Sequence, residues 1–364
     1  MGGRVGEWDG KAGNRNPGQA RADKEARKSR TKRKTLMTAT YPISTDASLN
    51  READRAGAGR DATGRFVLKA RPAAAGPIVN AMSVDVEDYY QVQAFAGTVG
   101  RDDWAGHASR VERNTDAVLA LFAEAGVHAT FFTLGWVAER HPALIRRIVE
   151  QGHELGSHGY AHIRADSQTP EEFRADVVRT KRILEDAGGV PVRGYRAATF
   201  SIGEDNLWSF AILAESGYAY SSSIYPLRRD LCGMPDAPRA PFYPDGPESD
   251  PKGDGGRALE EYPITTVEVA GRRLPAGGGG HFRIWPYAYS RWAVNRINRA
   301  ERRPAMFYFH PWEIDPDQPR MPDAPLKSRI RHYTNLSRMA AKLKRLMNDF
   351  AWDRVDRVFF EGEG

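Results

Sequence analysis

From Pro77 onward, short apolar runs alternate with amphipathic stretches punctuated by glycine and proline, and that alternation most constrains what the chain can fold into. Residues 78–86 read as a buried strand. Around polar positions, Val111, Val118, Leu119, Leu121 and Phe122 recur at helical spacing, so 108–125 is predicted helical, ending at Gly126, a residue suited to the left-handed cap. Residues 127–134 return as a strand, and Pro142 opens a second helix that Gly152 closes. The pattern repeats with strands at 153–157, 192–195 and 218–222 and helices at 171–187 and 204–216, before strands at 259–265, 266–269 and 305–310. Repeated strand–helix units with short connections predict an α/β fold: a mainly parallel sheet, closed or nearly closed, with helices outside. In such barrels chemistry collects where strands end.

The 364 residues divide by texture. A disordered basic arm is expected over 1–75, a folded domain over 76–325, and a C-terminal helical extension packed on the barrel over 326–364, where Ile330, Tyr333, Leu336, Met339, Leu343, Leu346, Met347 and Phe350 recur at helical spacing. The net charge of +6 belongs to the arm, with 17 Lys+Arg against 8 Asp+Glu, which leaves 36 against 39 for the rest. The arm lacks the interleaved aromatics that stack on bases, so nucleic acid is not expected as a partner; basic segments could make weak contact with a membrane surface. Cys232 is the single cysteine, no apolar run is long enough to span a bilayer, and no apolar stretch follows the basic residues as in a secretory signal. A cytoplasmic location is the expectation. Residues 226–256, dense in Pro, Gly and Asp, read as a long surface excursion, and Gly277 to Gly280 as a loop that permits close backbone approach.

Three clusters at predicted strand ends carry the chemistry. Along an extended strand, side chains alternate, so Asp85 and Glu87 share a face while Val86 and Asp88 take the other. Two carboxylates in a cleft suit different roles, one binding a metal and one acting as a base. His158 and His162, four residues apart in a glycine-bearing loop, have the spacing of a metal-ligating pair, and neutral imidazole is a good zinc ligand. His310 closes an apolar strand ahead of Pro311 and Trp312 and is the candidate general acid; Arg196 is placed to orient a carboxylate. His153 is read as structural.

The order Val84-Asp85-Val86-Glu87-Asp88, then residues 152–162 (GHELGSHGYAH), then Gly194-Tyr195-Arg196, then Phe307-Tyr308-Phe309-His310 resembles the polysaccharide deacetylases of the NodB-like type, carbohydrate esterase family four, over roughly residues 78–315. Residues 85–90 (DVEDYY), residues 221–226 (SSSIYP), the glycine run before His281-Phe282 and the basic C-terminal helix are similar to the branch associated with bacterial exopolysaccharide export loci. The resemblance implies a distorted (β/α) barrel with fewer than eight strands and a divalent metal, usually zinc, with Co2+, Ni2+ or Fe2+ as other occupants. It implies Asp85 as base, His158 and His162 as ligands, Arg196 as the residue that steadies the base, and His310 as acid. The implied activity is removal of N-acetyl groups from a polysaccharide or chitooligosaccharide with release of acetate; peptidoglycan and a sugar- or metal-binding protein without turnover are the alternatives. Val86 stands where the family's common motif has a second Asp, which moves the ligand role to Glu87 by parity, with Asp88 in reserve. Ala197 replaces a usual Pro, and Ser221 stands where an Asp commonly supports the catalytic His. Tyr89, Tyr90 and Trp312 are the expected sugar-binding residues, and the N–H of Tyr89 or Tyr90 the expected oxyanion donor.

Overall fold

The computed structural model describes residues 65–69, 76–228, 232–245 and 258–360. Of the expected basic arm, residues 1–64 and 70–75 lie outside the described residues. Strand β1 (Val67–Leu68) falls inside that arm and is ordered, pairing antiparallel with Phe242–Tyr243. The reason is local: Phe66 buries its ring against Phe242, with centroids 4.7 Å apart.

The strand–helix alternation is realised as predicted, with shorter strands. Strand β2 (Val79–Val86) leads to α1 (Val111–Ala125), which Gly126 closes in the left-handed conformation at φ 64°. Strand β3 (Thr130–Thr133) is followed by a short α2 (Gly135–Arg140), absent from the sequence reading, and α3 (Pro142–Glu150). Strand β4 (Glu154–Ser157) precedes α4 (Pro170–Gly188), which Thr169 and Glu172 cap reciprocally. Next come β5 (Gly194–Tyr195), α5 (Trp208–Glu215) and β6 (Tyr220–Ser221). The excursion then supplies β7 (Phe242–Tyr243) before β8 (Glu260–Glu261). A hairpin of β9 (Thr266–Val269) and β10 (Arg272–Pro275), α6 (Gly280–Ile284), α7 (Tyr287–Arg299) and β11 (Met306–Phe309) follow.

Among the described residues, seven mutually parallel strands run in the order β8-β6-β5-β4-β3-β2-β11. The β9–β10 hairpin closes the circuit. Its return limb meets β11, where the Tyr308 N–H donates to the Gly277 carbonyl at 2.8 Å and the Gly279 N–H to the Tyr308 carbonyl at 2.9 Å. Gly278 permits this close approach, because a Cβ there would lie 2.1 Å from the Tyr308 oxygen. Inside the barrel Ala81, Phe132, Tyr220, Tyr262, Met306 and Tyr308 pack together, while Met82, Val84 and Val86 face the helices.

The C-terminal extension departs from a single packed helix. It breaks at Asn335, φ 58°, into α8 (Leu326–Tyr333) and α9 (Leu336–Asp349). The apolar stripe of α9 is buried, whereas Ile330 of α8 is exposed. The chain then adds β12 (Ala351–Asp353), parallel to the start of β2, and Val355 and Val358 close the barrel floor.

Candidate active site

Each site residue stands at or just past the carboxyl end of a barrel strand, where side chains converge. Ser83 and Asp85 share the inward face of β2, and Arg196, just past β5, reaches across to both: its Nη1 donates to Asp85 Oδ1 at 2.7 Å and to Ser83 Oγ at 2.8 Å. The rest of the guanidinium donates to the Ser222 carbonyl at 3.1 Å and to Ser222 Oγ at 2.9 Å, and it lies over the Phe132 ring at 4.1 Å. Arg196 is fully buried. A surface salt bridge is therefore not its role; it keeps one oxygen of Asp85 occupied and the other directed into the cleft.

Beyond the strand end, Glu87 meets the histidine loop. One ligand atom from each of Glu87, His158 and His162 lies within 4.8 Å of the others, and all three residues are buried. The His158 Nδ1–H donates to the Arg196 carbonyl at 2.8 Å, which turns Nε2 toward the carboxylate. Burial lowers the pKa of His158 and drops that of His162 well below the usual 6.5, so both imidazoles are neutral. His162 holds a left-handed backbone, φ 50°, and Arg101 clamps this turn by donating to the Ala161 carbonyl at 2.6 Å and the His162 carbonyl at 3.0 Å. Glu87 Oε2 is buried and takes no hydrogen bond, although His162 Nε2 lies 3.1 Å away. Burial pushes the Glu87 carboxyl up to about 7, against the pull of His310. An unsatisfied carboxylate oxygen beside two neutral imidazoles is the donor set that a divalent cation completes.

Parity thus separates Glu87 from its neighbours. Val86 is buried among the core residues on the helix side. Asp88, the reserve ligand, is engaged elsewhere. Its Oδ1 accepts from the Tyr89 N–H at 2.9 Å, and its Oδ2 accepts from Ser109 Oγ at 2.8 Å and from the Arg110 and Val111 N–H groups at 2.7 and 3.1 Å, capping α1. That bond also removes the Tyr89 N–H as an oxyanion donor. The expected sugar contacts of Tyr89 and Tyr90 are corrected too: both are core residues, 1% exposed, in an edge-to-face pair at 5.1 Å.

His310 faces this set across the cleft, with Nε2 3.6 Å from Glu87 Oε1 and 4.0 Å from Asp85 Oδ2. Its partner is Glu313, three residues on in a short 3-10 turn, where one carboxylate oxygen accepts from the His310 backbone N–H at 3.1 Å and from Nδ1–H at 2.8 Å. Ser221 does not support His310; it bonds to Ser223 Oγ at 2.8 Å. Burial opposes charge on His310, but the hydrogen bond it donates to Glu313 and the charges of Glu87, Glu313 and Asp85 outweigh burial and raise its pKa to about 9. Glu313 in turn pairs with the buried Arg283 and, despite burial, titrates at about 2. Sequence reasoning missed both residues. An acid three positions after His310 was a readable signal; Arg283, distant in sequence and beside a glycine run, was not.

Trp312 does line the cleft. It stacks on His310 with ring centroids 5.2 Å apart and directs its indole N–H at Glu87 Oε1, 3.3 Å away. Below it lies His332, stacked at 4.1 Å, with a neutral ring that burial holds at about 3. The cavity above these groups has a volume of about 490 Å³, and Phe200, Trp285 and Tyr308 stand in its walls.

Known proteins resemble the chain in segments. Residues 102–220 match the family model described as polysaccharide deacetylase, and residues 222–360 match a domain of unknown function (DUF3473). A peptidoglycan-N-acetylglucosamine deacetylase of Bacillus cereus is 32% identical over 93 residues, covering 26% of this chain and 34% of that protein. A chitooligosaccharide deacetylase of a Bradyrhizobium species is 29% identical over 111 residues, 30% of this chain and 48% of its own length. The chain thus spans between a third and half of these relatives. The crystal structure of an allantoinase superposes on 80% of this chain and 93% of its own with a TM-score of 0.50 at 16% identity, a likeness of fold. His158, His162 and Arg196 all fall inside the first matched segment, at the ends of neighbouring barrel strands, and the chain carries a polysaccharide deacetylase domain of the NodB-like type.

Proposed function

We propose that this protein is a metal-dependent hydrolase that removes N-acetyl groups from an N-acetylated glycan and releases acetate. One observation carries the reading: Asp85 and His310, 4.0 Å apart, stand beside a buried Glu87, His158 and His162 set with an unsatisfied carboxylate oxygen.

Glu87, His158 and His162 would hold the cation. Zinc is favoured by two imidazoles and one carboxylate, and when bound there it would supply a lowered water pKa and polarisation of an acyl oxygen. The other steps belong to the protein. Asp85, oriented by Arg196, accepts the proton of the attacking water through Oδ2, the oxygen that Arg196 leaves open. His310, held charged by Glu313, donates the Nε2 proton to the departing sugar amine, so that the leaving group is neutral. Trp312 shields His310, its buried ring stacked on both His310 and His332. Val86 in place of an aspartate is compatible with turnover, since Glu87 supplies the carboxylate instead.

Within this reading an exopolysaccharide or chitooligosaccharide is the favoured polymer. Peptidoglycan is the second, favoured by the name of the Bacillus relative. The test is acetate release from N-acetylated oligosaccharides by the zinc-loaded protein. Release that stops in Asp85→Asn with metal content unchanged supports the proposal; metal binding with no release from any acetylated glycan overturns it.

A further inference from the structure

The cleft is acidic at its floor and basic at its rim. Asp85, Glu87 and Glu313 are the only carboxylates lining it among the described residues, and each belongs to the reacting centre. At the mouth stand Arg228 and Arg331, both exposed, and among the described residues neither has a carboxylate partner. They come from separate elements, Arg228 from the excursion after β6 and Arg331 from α8. Both backbones are pinned. Gly233 packs against the turn that carries Arg228 so closely that a Cβ would lie 1.9 Å from the Leu227 carbonyl oxygen, and the Arg331 carbonyl accepts from Arg283 Nη2 at 3.2 Å. The same cleft is lined by Trp285, an aromatic ring suited to a sugar face.

We propose that this rim selects for negative charge, so that the substrate class is an acidic N-acetylated glycan carrying carboxylate or sulfate groups beside the acetylated sugar. The inference rests on the deacetylase reading. A neutral chitooligosaccharide would leave two guanidinium groups facing the cleft without a counter-charge, whereas an acidic unit flanking the reacting sugar would meet a planar donor built for oxyanions. The segment that matches a domain of unknown function, which already supplies His310, Trp312 and Glu313, thereby gains a second role at the cleft, because Arg228 and Arg331 also lie within residues 222–360 and outside the deacetylase match.

The experiment compares three probes with the zinc-loaded full chain: heparosan tetrasaccharide for carboxylate, 6-O-sulfated chitotetraose for sulfate, and fully acetylated chitotetraose as the neutral reference. The expected result is a higher kcat/KM for at least one acidic probe. The acidic-to-neutral ratio should shrink with added salt and fall about tenfold in R228Q/R331Q, with partial recovery in R228K/R331K. The responding acidic probe identifies the anion. A ratio that ignores both the Gln pair and salt overturns the rim proposal and leaves the deacetylase reading standing. Absence of acetate from all three probes counts against deacetylation instead, and calorimetric binding then decides the rim. Tighter binding of an acidic probe, lost in R228Q/R331Q, upholds it; equal binding of all three overturns it.

Discussion

Asp85 and Glu87 are two residues apart on one strand, yet their surroundings give them opposite properties. Arg196 pairs with the first, while the second is buried with one oxygen unpaired. Asp85→Asn should lower acetate release by about a hundredfold to ten-thousandfold, the range for loss of a general base, with metal content unchanged by elemental analysis. Burial pushes the Glu87 carboxyl up to about 7, so protons would compete with a cation bound there; on the proposed reading, metal content measured after dialysis should fall as pH drops below about 7. His310 has a folded pKa raised to about 9, so its pairing adds stability that is fully present below its ordinary 6.5 and is lost as pH rises through 9. Glu313→Gln should therefore lower the melting temperature at pH 6, with the gap to wild type narrowing above pH 9. It should also move the alkaline fall of kcat to lower pH. A kcat profile unchanged by Glu313→Gln would exclude His310 as the acid that Glu313 tunes.

Elements place these residues by a few close approaches. At the seam between β11 and the return limb of the hairpin, Gly278 adopts φ 103° with no room for a Cβ. Gly278→Ala should cost about 2–4 kcal/mol in denaturant unfolding and reduce activity, since the strand it displaces carries His310. Asp88 does for α1 what a capping residue does, from outside the helix. Asp88→Ala should cost about 1–2 kcal/mol while metal content stays unchanged, and loss of metal in that variant would restore Asp88 as a ligand. The break at Asn335 shows how helical spacing misleads: the stripe through Leu336, Met339 and Leu343 is core, but its extension to Ile330 crosses the break and emerges in solvent.

At the scale of the whole molecule, the site crosses the boundaries that family matching draws. Asp85 and Glu87 precede the deacetylase match, His158, His162 and Arg196 lie within it, and His310, Trp312 and Glu313 belong to the segment that follows. Strands β2, β8 and β11 come from outside residues 102–220, so that stretch alone leaves the barrel open and its inner face wet. A chain limited to 102–220 should show no cooperative thermal transition by circular dichroism, in contrast to the full chain. The sequence by itself determined the strand–helix alternation, the strand-end positions of the reactive residues and the pairing of Asp85 with Glu87, because periodicity and side-chain parity are local properties of the backbone. Only the tertiary structure decided that Asp88 caps a helix, that Tyr89 and Tyr90 are core, and that Glu313 with Arg283 tunes His310. Those roles depend on which distant group meets a charge or ring once the barrel closes, and no local pattern encodes that meeting.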